Sequence, residues 1–227
     1  MQQKIFLLAL CLASLQPLAA AADNVPEDEK LTGTPIGSTY SYYNGSTSTT
    51  VNTKAAAFDG DGATYFAAWE QSMGWVGLDL STPHVISRIV FRPRNTSDGP
   101  SKMLLGVFEG ANSEDFMDAV PLHLISETPS AGSTTAFDVQ VTRGFRYVRY
   151  VGPSGSRSVV AELEFYGHEG EGSDSIFYQV TELPTVSIHV KNNSVPQTKG
   201  VDFTSNLTIV YEGGTLIQEY PILTRVR

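Results

Sequence analysis

A ten-residue stretch from Ala57 to Phe66 concentrates groups that could bind a cation. It holds two carboxylates, Asp59 and Asp61, two glycines and the Thr64 hydroxyl between apolar residues. Carboxylate, hydroxyl and carbonyl oxygens are the ligands that Ca²⁺ takes, at about 2.3–2.6 Å, and glycine lets the backbone turn sharply. The stretch is not an EF-hand, because Thr64 stands where that loop requires glycine. The pattern indicates either a calcium loop or a polar turn between strands, since Asp and Gly are also common turn residues.

Catalytic arrangements are not evident in the sequence. The four histidines are scattered, and there is neither a Gly-x-Ser-x-Gly elbow nor a phosphate-binding Gly-Lys-Ser/Thr loop. Glu162 and Glu164 would be an acid pair on one strand, about 7 Å apart on a single surface. Retaining glycoside hydrolysis needs carboxylates on opposite sides of the scissile bond. We therefore predict that the chain is not an enzyme.

The composition of the chain limits the kinds of partner that it can bind. The 227 residues are 41% apolar, enough for real cores, and the formal net charge is −9. Because the chain is acidic and has no cluster of Lys and Arg, we expect no nucleic-acid partner.

The first 22 residues have the pattern of an export signal. Lys4 precedes an apolar run from Ile5 to Leu15, and small residues up to Ala22 offer cleavage sites. The apolar run is too short for a membrane span. Cys11 is the only cysteine and lies in this run, so the mature chain would carry no disulfide. We predict export to a bacterial periplasm, the cell surface or the extracellular space.

The elements that would position these groups are short strands. Alternating or apolar runs predict strands over 75–80, 85–91, 103–108, 120–125, 136–141, 145–151 and 160–166, and Lys54 to Phe58 predicts a short helical turn. Ala161, Leu163 and Phe165 would face a core. Regularly spaced strands separated by Gly and Pro, with no long amphipathic helix, predict an all-β fold, an antiparallel jelly-roll β-sandwich.

Four motifs occur in order along the chain and carry a family resemblance. They are the Asp59-Gly60 loop ending in Thr64, Trp75-Val-Gly-Leu-Asp-Leu80, Arg146-Tyr-Val-Arg149 and Ala161-Glu-Leu-Glu-Phe-Tyr-Gly167. From Leu31 to Gly167 the sequence resembles the discoidin-like domains of coagulation-factor type C and the related family-32 carbohydrate-binding modules. The resemblance implies a galactose-binding-like sandwich over residues 31–167.

The resemblance also implies a structural calcium ion. On this basis Asp59 supplies a side-chain oxygen, Asp61 its backbone carbonyl, and Thr64 its hydroxyl and carbonyl. Glu162 closes the site from the last strand, with the Ala161 carbonyl beside it. The ion would act as a clip between two distant segments and would stabilise only the native state.

Two functions remain open at this point. The resemblance implies a non-catalytic module that binds extracellular carbohydrate, and discoidin-like relatives also imply a protein- or surface-adhesion module. Aromatic faces stack on sugar rings while fixed polar groups bind the hydroxyls. The candidate ligand-binding residues, all in predicted loops, are Tyr42, Tyr43, Trp69, Arg94, Asn95 and Arg157. Each could also be an ordinary surface residue, and Trp75 is expected in the core because it opens a strand.

The sequence predicts further segments on either side of the sandwich. Residues 23–30 are acidic and predict a flexible tether, and residues 168–175 are polar, punctuated by glycine, and predict a linker. Residues 176–227 predict a small, incomplete β unit whose strands pair across Gly213-Gly214. The stretch near Leu183 to Ile188 resembles the β-rich lead-in of bacterial spore-coat (CotH) kinase-like proteins. The alternative is therefore that the chain is the N-terminal part of a larger protein of that kind.

Overall fold

The computed structural model describes residues 27–141, 143–172, 185–190, 202–211 and 215–225. The predicted export signal lies outside the described residues. Apart from one 3₁₀ turn, Lys54–Ala57, the regular elements described are strands. In chain order they are β1 Glu29–Lys30, β2 Thr34–Gly37, β3 Ser41–Tyr43, β4 Ser46–Ser48, β5 Trp75–Arg92, β6 Val107–Ala111, β7 Val120–Leu124, β8 Thr135–Asp138, β9 Gly144–Val151, β10 Glu162–Glu169, β11 Thr185–Val190, β12 Asp202–Tyr211 and β13 Thr215–Arg225. The described part of the chain holds no helix long and apolar enough to cross a membrane.

The long strand β5 organises the sandwich. Its first half pairs with β2 and β9, and its second half pairs with β10 and β8, always antiparallel. Three further strands extend these two layers, β6 and β7 beside β9 and β1 beside β10, while β3 and β4 pair only with each other as a small hairpin. The predicted all-β antiparallel sandwich is therefore confirmed.

Apolar side chains fill the space between the two layers. Val76, Phe108, Tyr150 and Phe165 are among the fully buried members. The alternation predicted for the last strand is correct, because Ala161, Leu163 and Phe165 are buried while the glutamates between them are half-exposed. Trp75 belongs to a smaller cluster, where it packs edge-on against Phe116 with ring centroids 5.1 Å apart.

Both ends of β5 lie beside residues 158–161. The Gly74 carbonyl, just before the strand, accepts a hydrogen bond from the Ser158 hydroxyl. The Arg92 carbonyl, at the last residue of the strand, accepts one from the Ala161 N–H at 3.0 Å. The strand therefore turns back on itself, and the loops at its two ends lie at one end of the sandwich.

Two strand predictions are wrong in their bounds. Residues 81–84, predicted as a loop, are an irregular part of β5, because Ser81 takes a left-handed φ of 70° and the pairing resumes at His84. Residues 103–105, predicted as a strand, form a turn in which Met103 is buried and Leu105 has a φ of 69°. The apolar character of that run reflects burial of Met103 rather than sheet pairing, and the strand begins at Val107.

The segments predicted to be flexible are partly ordered. Glu29 and Lys30 of the predicted tether form β1, and the Lys30 ammonium lies 2.8 Å from the Glu164 carboxylate. At the predicted linker, β10 continues to Glu169 because its pairing with β5 extends to His84. Backbone pairing thus overrides a polar composition in both places.

Residues 170–172 are also bound to the sandwich. The Gly144 N–H donates to the Glu171 carbonyl at 2.6 Å, and the Asn112 side chain donates to the Gly172 carbonyl at 3.0 Å. Residues 173–175 of the predicted linker lie outside the described residues.

The C-terminal strands form a sheet of their own. Strand β12 pairs antiparallel with both β11 and β13, and the β12–β13 pair spans the predicted Gly213-Gly214 turn, which is itself outside the described residues. On β11, Val186 and Ile188 are exposed. The division into two units, and the resemblance of the second to the CotH lead-in, stay predictions.

Candidate functional site

The predicted calcium loop follows the 3₁₀ turn and folds around the Asp59 carboxylate. The Asp61 N–H and the Thr64 hydroxyl each donate to Asp59, to separate oxygens at 2.8 Å. The Asp61 carbonyl accepts from the N–H of Thr64 at 2.9 Å and lies 3.0 Å from the Thr64 hydroxyl oxygen. The Asp61 carboxylate instead turns to the Ala63 N–H, at 2.9 Å. Carboxylate, hydroxyl and carbonyl oxygens are thereby gathered in one small loop.

Glu162, at the start of β10, closes this loop from the far end of the sequence. Its Oε2 accepts from the Gly60 N–H at 3.2 Å, while its Oε1 is buried without a hydrogen-bond partner. Burial raises the pKa of the Glu162 carboxyl to about 7, the Gly60 hydrogen bond opposes the rise, and the nearby Asp59 carboxyl adds to it. A bound cation would balance the charge of the Asp59 and Glu162 carboxyl groups and would give the buried Glu162 Oε1 a partner.

The Arg92 guanidinium packs against the loop at Gly62. This role of Arg92 was not identified from the sequence. A Cβ on Gly62 would lie 2.1 Å from Arg92 Nη1, so a larger residue there would have to displace this guanidinium. The Arg92 carbonyl also fixes the Ala161 N–H, which places Ala161 and Glu162 beside the loop. The only local signal in the sequence was the second glycine of the Asp-Gly-Asp-Gly run.

The residues present fit a hard cation. The donors at the loop are oxygen atoms, which suit Ca²⁺ rather than a metal that prefers nitrogen or sulfur. Within the described ranges no group of three or more His, Cys, Asp and Glu side chains could hold a metal. A calcium ion would therefore depend on the Asp61, Thr64 and Ala161 carbonyls as well as on the carboxylates of Asp59 and Glu162.

An aromatic platform lies at the same end of the sandwich. We define it as Tyr42, Trp69 and Arg157. The rings of Tyr42 and Trp69 are stacked, with centroids 6.2 Å apart and planes at 24°. The Arg157 guanidinium lies 4.0 Å from the Tyr42 centroid and 5.8 Å from that of Trp69. Trp69 is 38% exposed, so this large apolar ring remains open to solvent beside a fixed cation.

Backbone hydrogen bonds hold the three platform residues together. The Tyr42 N–H donates to the Ala67 carbonyl at 2.8 Å, and the Ala68 N–H donates to the Arg157 carbonyl at 2.8 Å. The Arg157 guanidinium in turn donates to the Trp69 carbonyl. The platform thus joins three segments that are far apart in the sequence.

The other predicted ligand-binding residues lie elsewhere. Tyr43 follows Tyr42 in β3, and successive strand residues point to opposite faces. The Arg94 guanidinium stacks 3.8 Å from the Tyr65 centroid. Asn95 packs beside Gly132, where a Cβ would lie 2.8 Å from the Asn95 Cγ. Of the six residues predicted, the structure brings together Tyr42, Trp69 and Arg157.

Asn52 connects Tyr65 to the platform and was also missed in the sequence. Its side-chain amide donates to the Tyr42 carbonyl at 2.9 Å and to the Tyr65 hydroxyl at 3.1 Å. Its φ of 55° is left-handed, a conformation that Asn tolerates better than most residues. Asn52 followed by a Thr is typical of a turn, but the sequence alone does not show what the amide binds.

The loop of residues 59–64 and the platform share one pair of segments, which we call the 66–68/157–160 ladder. Phe66 and Val160 exchange backbone hydrogen bonds at 2.8 and 3.2 Å, and Ala68 pairs with Arg157. At one end of this ladder the chain continues into Thr64 and Glu162. At the other it carries Trp69 and Arg157.

Comparison with known proteins identifies relatives of the sandwich. The family model described as F5/8 type C domain matches residues 38–165. The solved structure of CBM62 from Clostridium thermocellum Xyl5A is similar with 43% sequence identity and a TM-score of 0.57, and the match covers 63% of this chain and 99% of that one.

Two further solved structures have lower identity. The fucolectin from striped bass (Morone saxatilis) serum is 20% identical with a TM-score of 0.51, covering 61% of this chain and 46% of that one. CpGH89CBM32-5 from Clostridium perfringens, in complex with GalNAc-β-1,3-galactose, is 15% identical with a TM-score of 0.45, covering 58% and 93%. No curated protein matches the chain.

Proposed function

Because the chain belongs to the F5/8 type C domain family, we propose that it is a non-catalytic module that binds carbohydrate outside the cytoplasm and is stabilised by calcium. CBM62, which is 43% identical over nearly its whole length, is a carbohydrate-binding module by name. This similarity supports a carbohydrate-binding domain. We propose in addition which residues contact the sugar, that calcium binds, and that the protein is exported.

The observation that carries the proposal is the platform. Trp69 offers an exposed indole face, which stacks on the apolar face of a pyranose ring. Hydrogen bonds to the Ala68 and Trp69 carbonyls and the contact with the Tyr42 ring hold the Arg157 guanidinium beside Trp69. One face of Tyr42 is occupied by Arg157, so Trp69 supplies the stacking surface and Arg157 supplies donors for sugar hydroxyls. A shallow surface of this kind buries little area, and we expect weak affinity per site.

Calcium would bind at Asp59, Asp61, Thr64, Ala161 and Glu162. The unpaired Glu162 Oε1 and the raised pKa of that carboxyl support a cation there, because a positive charge would relieve both. When bound, the ion supplies a cross-link between the loop and β10. The protein's own residues shape the loop: Gly62 lets it rest on Arg92, and Arg92 holds Ala161 in place.

Binding to a glycan array, followed by calorimetric titration with the best ligand, tests the carbohydrate proposal. The array should include galactose- and hexosamine-terminated glycans, with protein and lipid surfaces as controls. We expect Trp69→Ala to weaken binding about 30-fold, as for a central aromatic contact. Arg157→Ala should weaken it as well.

Arg88→Ala is the matched control for Arg157→Ala. Arg88 is an exposed arginine on β5 that pairs loosely with Asp138 at 3.9 Å, so its loss should leave glycan affinity unchanged. A negative array combined with binding to the protein surface would replace the carbohydrate proposal by the adhesion function.

A further inference from the structure

The platform residue Arg157 and its neighbour Ser158 both hold a backbone conformation that L-residues rarely adopt. Arg157 has a φ of 57° and Ser158 a φ of 48°. Neither is glycine, and left-handed residues persist in pairs only where the surroundings over-determine them. Such strain concentrates at functional sites, so the groups that enforce it here are of interest.

The Ser158 side chain is the centre of a buried network. Its hydroxyl donates to the Gly74 carbonyl at 2.5 Å and accepts from the Gly152 N–H at 2.8 Å. Its own N–H donates to the Ser156 hydroxyl at 3.0 Å. Ser156 and Ser158 are 3% and 1% exposed. A Cβ on Gly152 would lie 2.7 Å from the Ser158 Cα, so the backbone approaches closely as well.

This network fixes the direction in which the Arg157 side chain projects from the backbone. The Arg157 N–H donates to the Gln71 carbonyl at 3.1 Å, and its carbonyl accepts from Ala68. With both backbone groups engaged and φ reversed, the side chain passes over Tyr42. A change of φ rotates the side chain relative to the preceding peptide, so a right-handed backbone at Arg157 would change the direction of this side chain.

We propose that Ser158 is a positioning residue for the carbohydrate site: its hydroxyl holds the left-handed backbone that directs the Arg157 guanidinium onto Tyr42 and beside Trp69. Its role in affinity rests on the proposed function, whereas its effect on Arg157 does not. Ser158 itself is buried, so its hydroxyl would act through Arg157 rather than on a ligand.

The first measurement needs no ligand. The ring currents of Tyr42 should shift the NMR signal of the Arg157 Nε–H in the wild-type protein. The chain contains two tryptophans, so the indole signals of Trp69 and Trp75 can be assigned with one Trp69→Phe variant. In Ser158→Ala we expect the Arg157 signal to lose its shift and the Trp69 signal to move, while the Trp75 signal stays.

The second measurement is affinity for galactose and N-acetylgalactosamine as probes. Ser158→Ala should weaken binding about tenfold, the scale of one lost hydrogen bond from a charged donor. Ser156→Ala removes the acceptor of the Ser158 N–H and serves as a milder variant if Ser158→Ala does not fold. Ser87→Ala is the control, because it too loses a serine hydroxyl that donates to a backbone carbonyl, that of Tyr166, away from the platform.

The outcomes separate the two proposals. If the folded Ser158 or Ser156 variant keeps the Arg157 and Trp69 signals of the wild type, the positioning role is overturned. The same holds if Ser87→Ala moves these signals equally. If the signals change in the serine variants but the wild type binds neither probe nor any array glycan, Ser158 still positions Arg157 and the carbohydrate function is the proposal that fails.

Discussion

The loop of residues 59–64, which we propose binds calcium, and the platform lie at opposite ends of the 66–68/157–160 ladder, and they differ in which polar groups lack a partner. At the loop, the Glu162 carboxyl has a raised pKa and a buried oxygen without a partner. At the platform, the Arg157 guanidinium and the Ser158 hydroxyl have their partners within the chain. A cation would therefore complete the loop under the calcium proposal, whereas the hydrogen bonds of the platform are already formed within the chain.

The same difference separates the two kinds of strain. The loop carries an electrostatic cost, because the partly buried Glu162 carboxyl lies close to the Asp59 carboxyl and its pKa is raised. The platform stores conformational cost, in the left-handed φ angles of Arg157 and Ser158. The proposed ion would relieve the first cost directly, while hydrogen bonds inside the chain already offset the second.

The largest effect should appear when the loop is deprived of its ion. We expect a chelator to lower the melting temperature of the wild type by about 10 °C, the scale for an ion present at about 100 times its Kd. In Asp59→Asn this chelator-dependent change should disappear, because a charged ligand is lost. Thermal melting with EDTA, and with EDTA followed by excess Ca²⁺, measures both.

Asp61→Asn is the matched control. The proposed ligand from this residue is its backbone carbonyl, and an Asn side chain can still accept from the Ala63 N–H. The chelator should therefore act on Asp61→Asn as on the wild type. A wild-type melting temperature that does not respond to EDTA would remove the calcium proposal and leave the loop as a polar turn.

An intermediate effect should be seen when the chelator is added to the glycan titration. The ion would hold Thr64 and Glu162, and the 66–68/157–160 ladder continues from these residues to Trp69 and Arg157. Because the platform also has its own network through Ser158, we expect a loss of about threefold in affinity, less than 1 kcal/mol. Calorimetry below the chelator-induced melting range, with and without added Ca²⁺, gives this number.

Two other results would change the comparison. If affinity is identical with and without the chelator while the melting temperature falls, the two regions are independent. If binding is abolished in a protein that remains folded, the ion contacts the ligand or holds the platform more directly than the ladder does.

The sequence predicted features that depend on neighbouring residues and missed those that depend on topology. The alternation at Ala161 to Phe165 and the oxygen-rich loop at Asp59 are local patterns, and both are found where expected. Residues 103–105 were wrongly predicted as a strand, because a buried turn and a paired strand can have the same apolar sequence. The roles of Arg92, Asn52 and Ser158 arise only when distant segments meet, so single residues of common type gave no signal.

The smallest effect should come from Arg94, and it tests how far the platform extends. Arg94 was predicted beside the ligand, but its guanidinium lies on Tyr65, which reaches Tyr42 only through the Asn52 amide and the Tyr42 backbone carbonyl. Arg94→Ala removes a cation–π contact worth about 0.5–1 kcal/mol at an exposed site, and little of this should reach the Tyr42 ring. We expect glycan affinity within about twofold of the wild type, against a large loss in Arg157→Ala, in the same titration. A loss in Arg94→Ala as large as that in Arg157→Ala would show that the ligand spans both guanidinium groups, and the binding surface would then include Tyr65 as a second aromatic face.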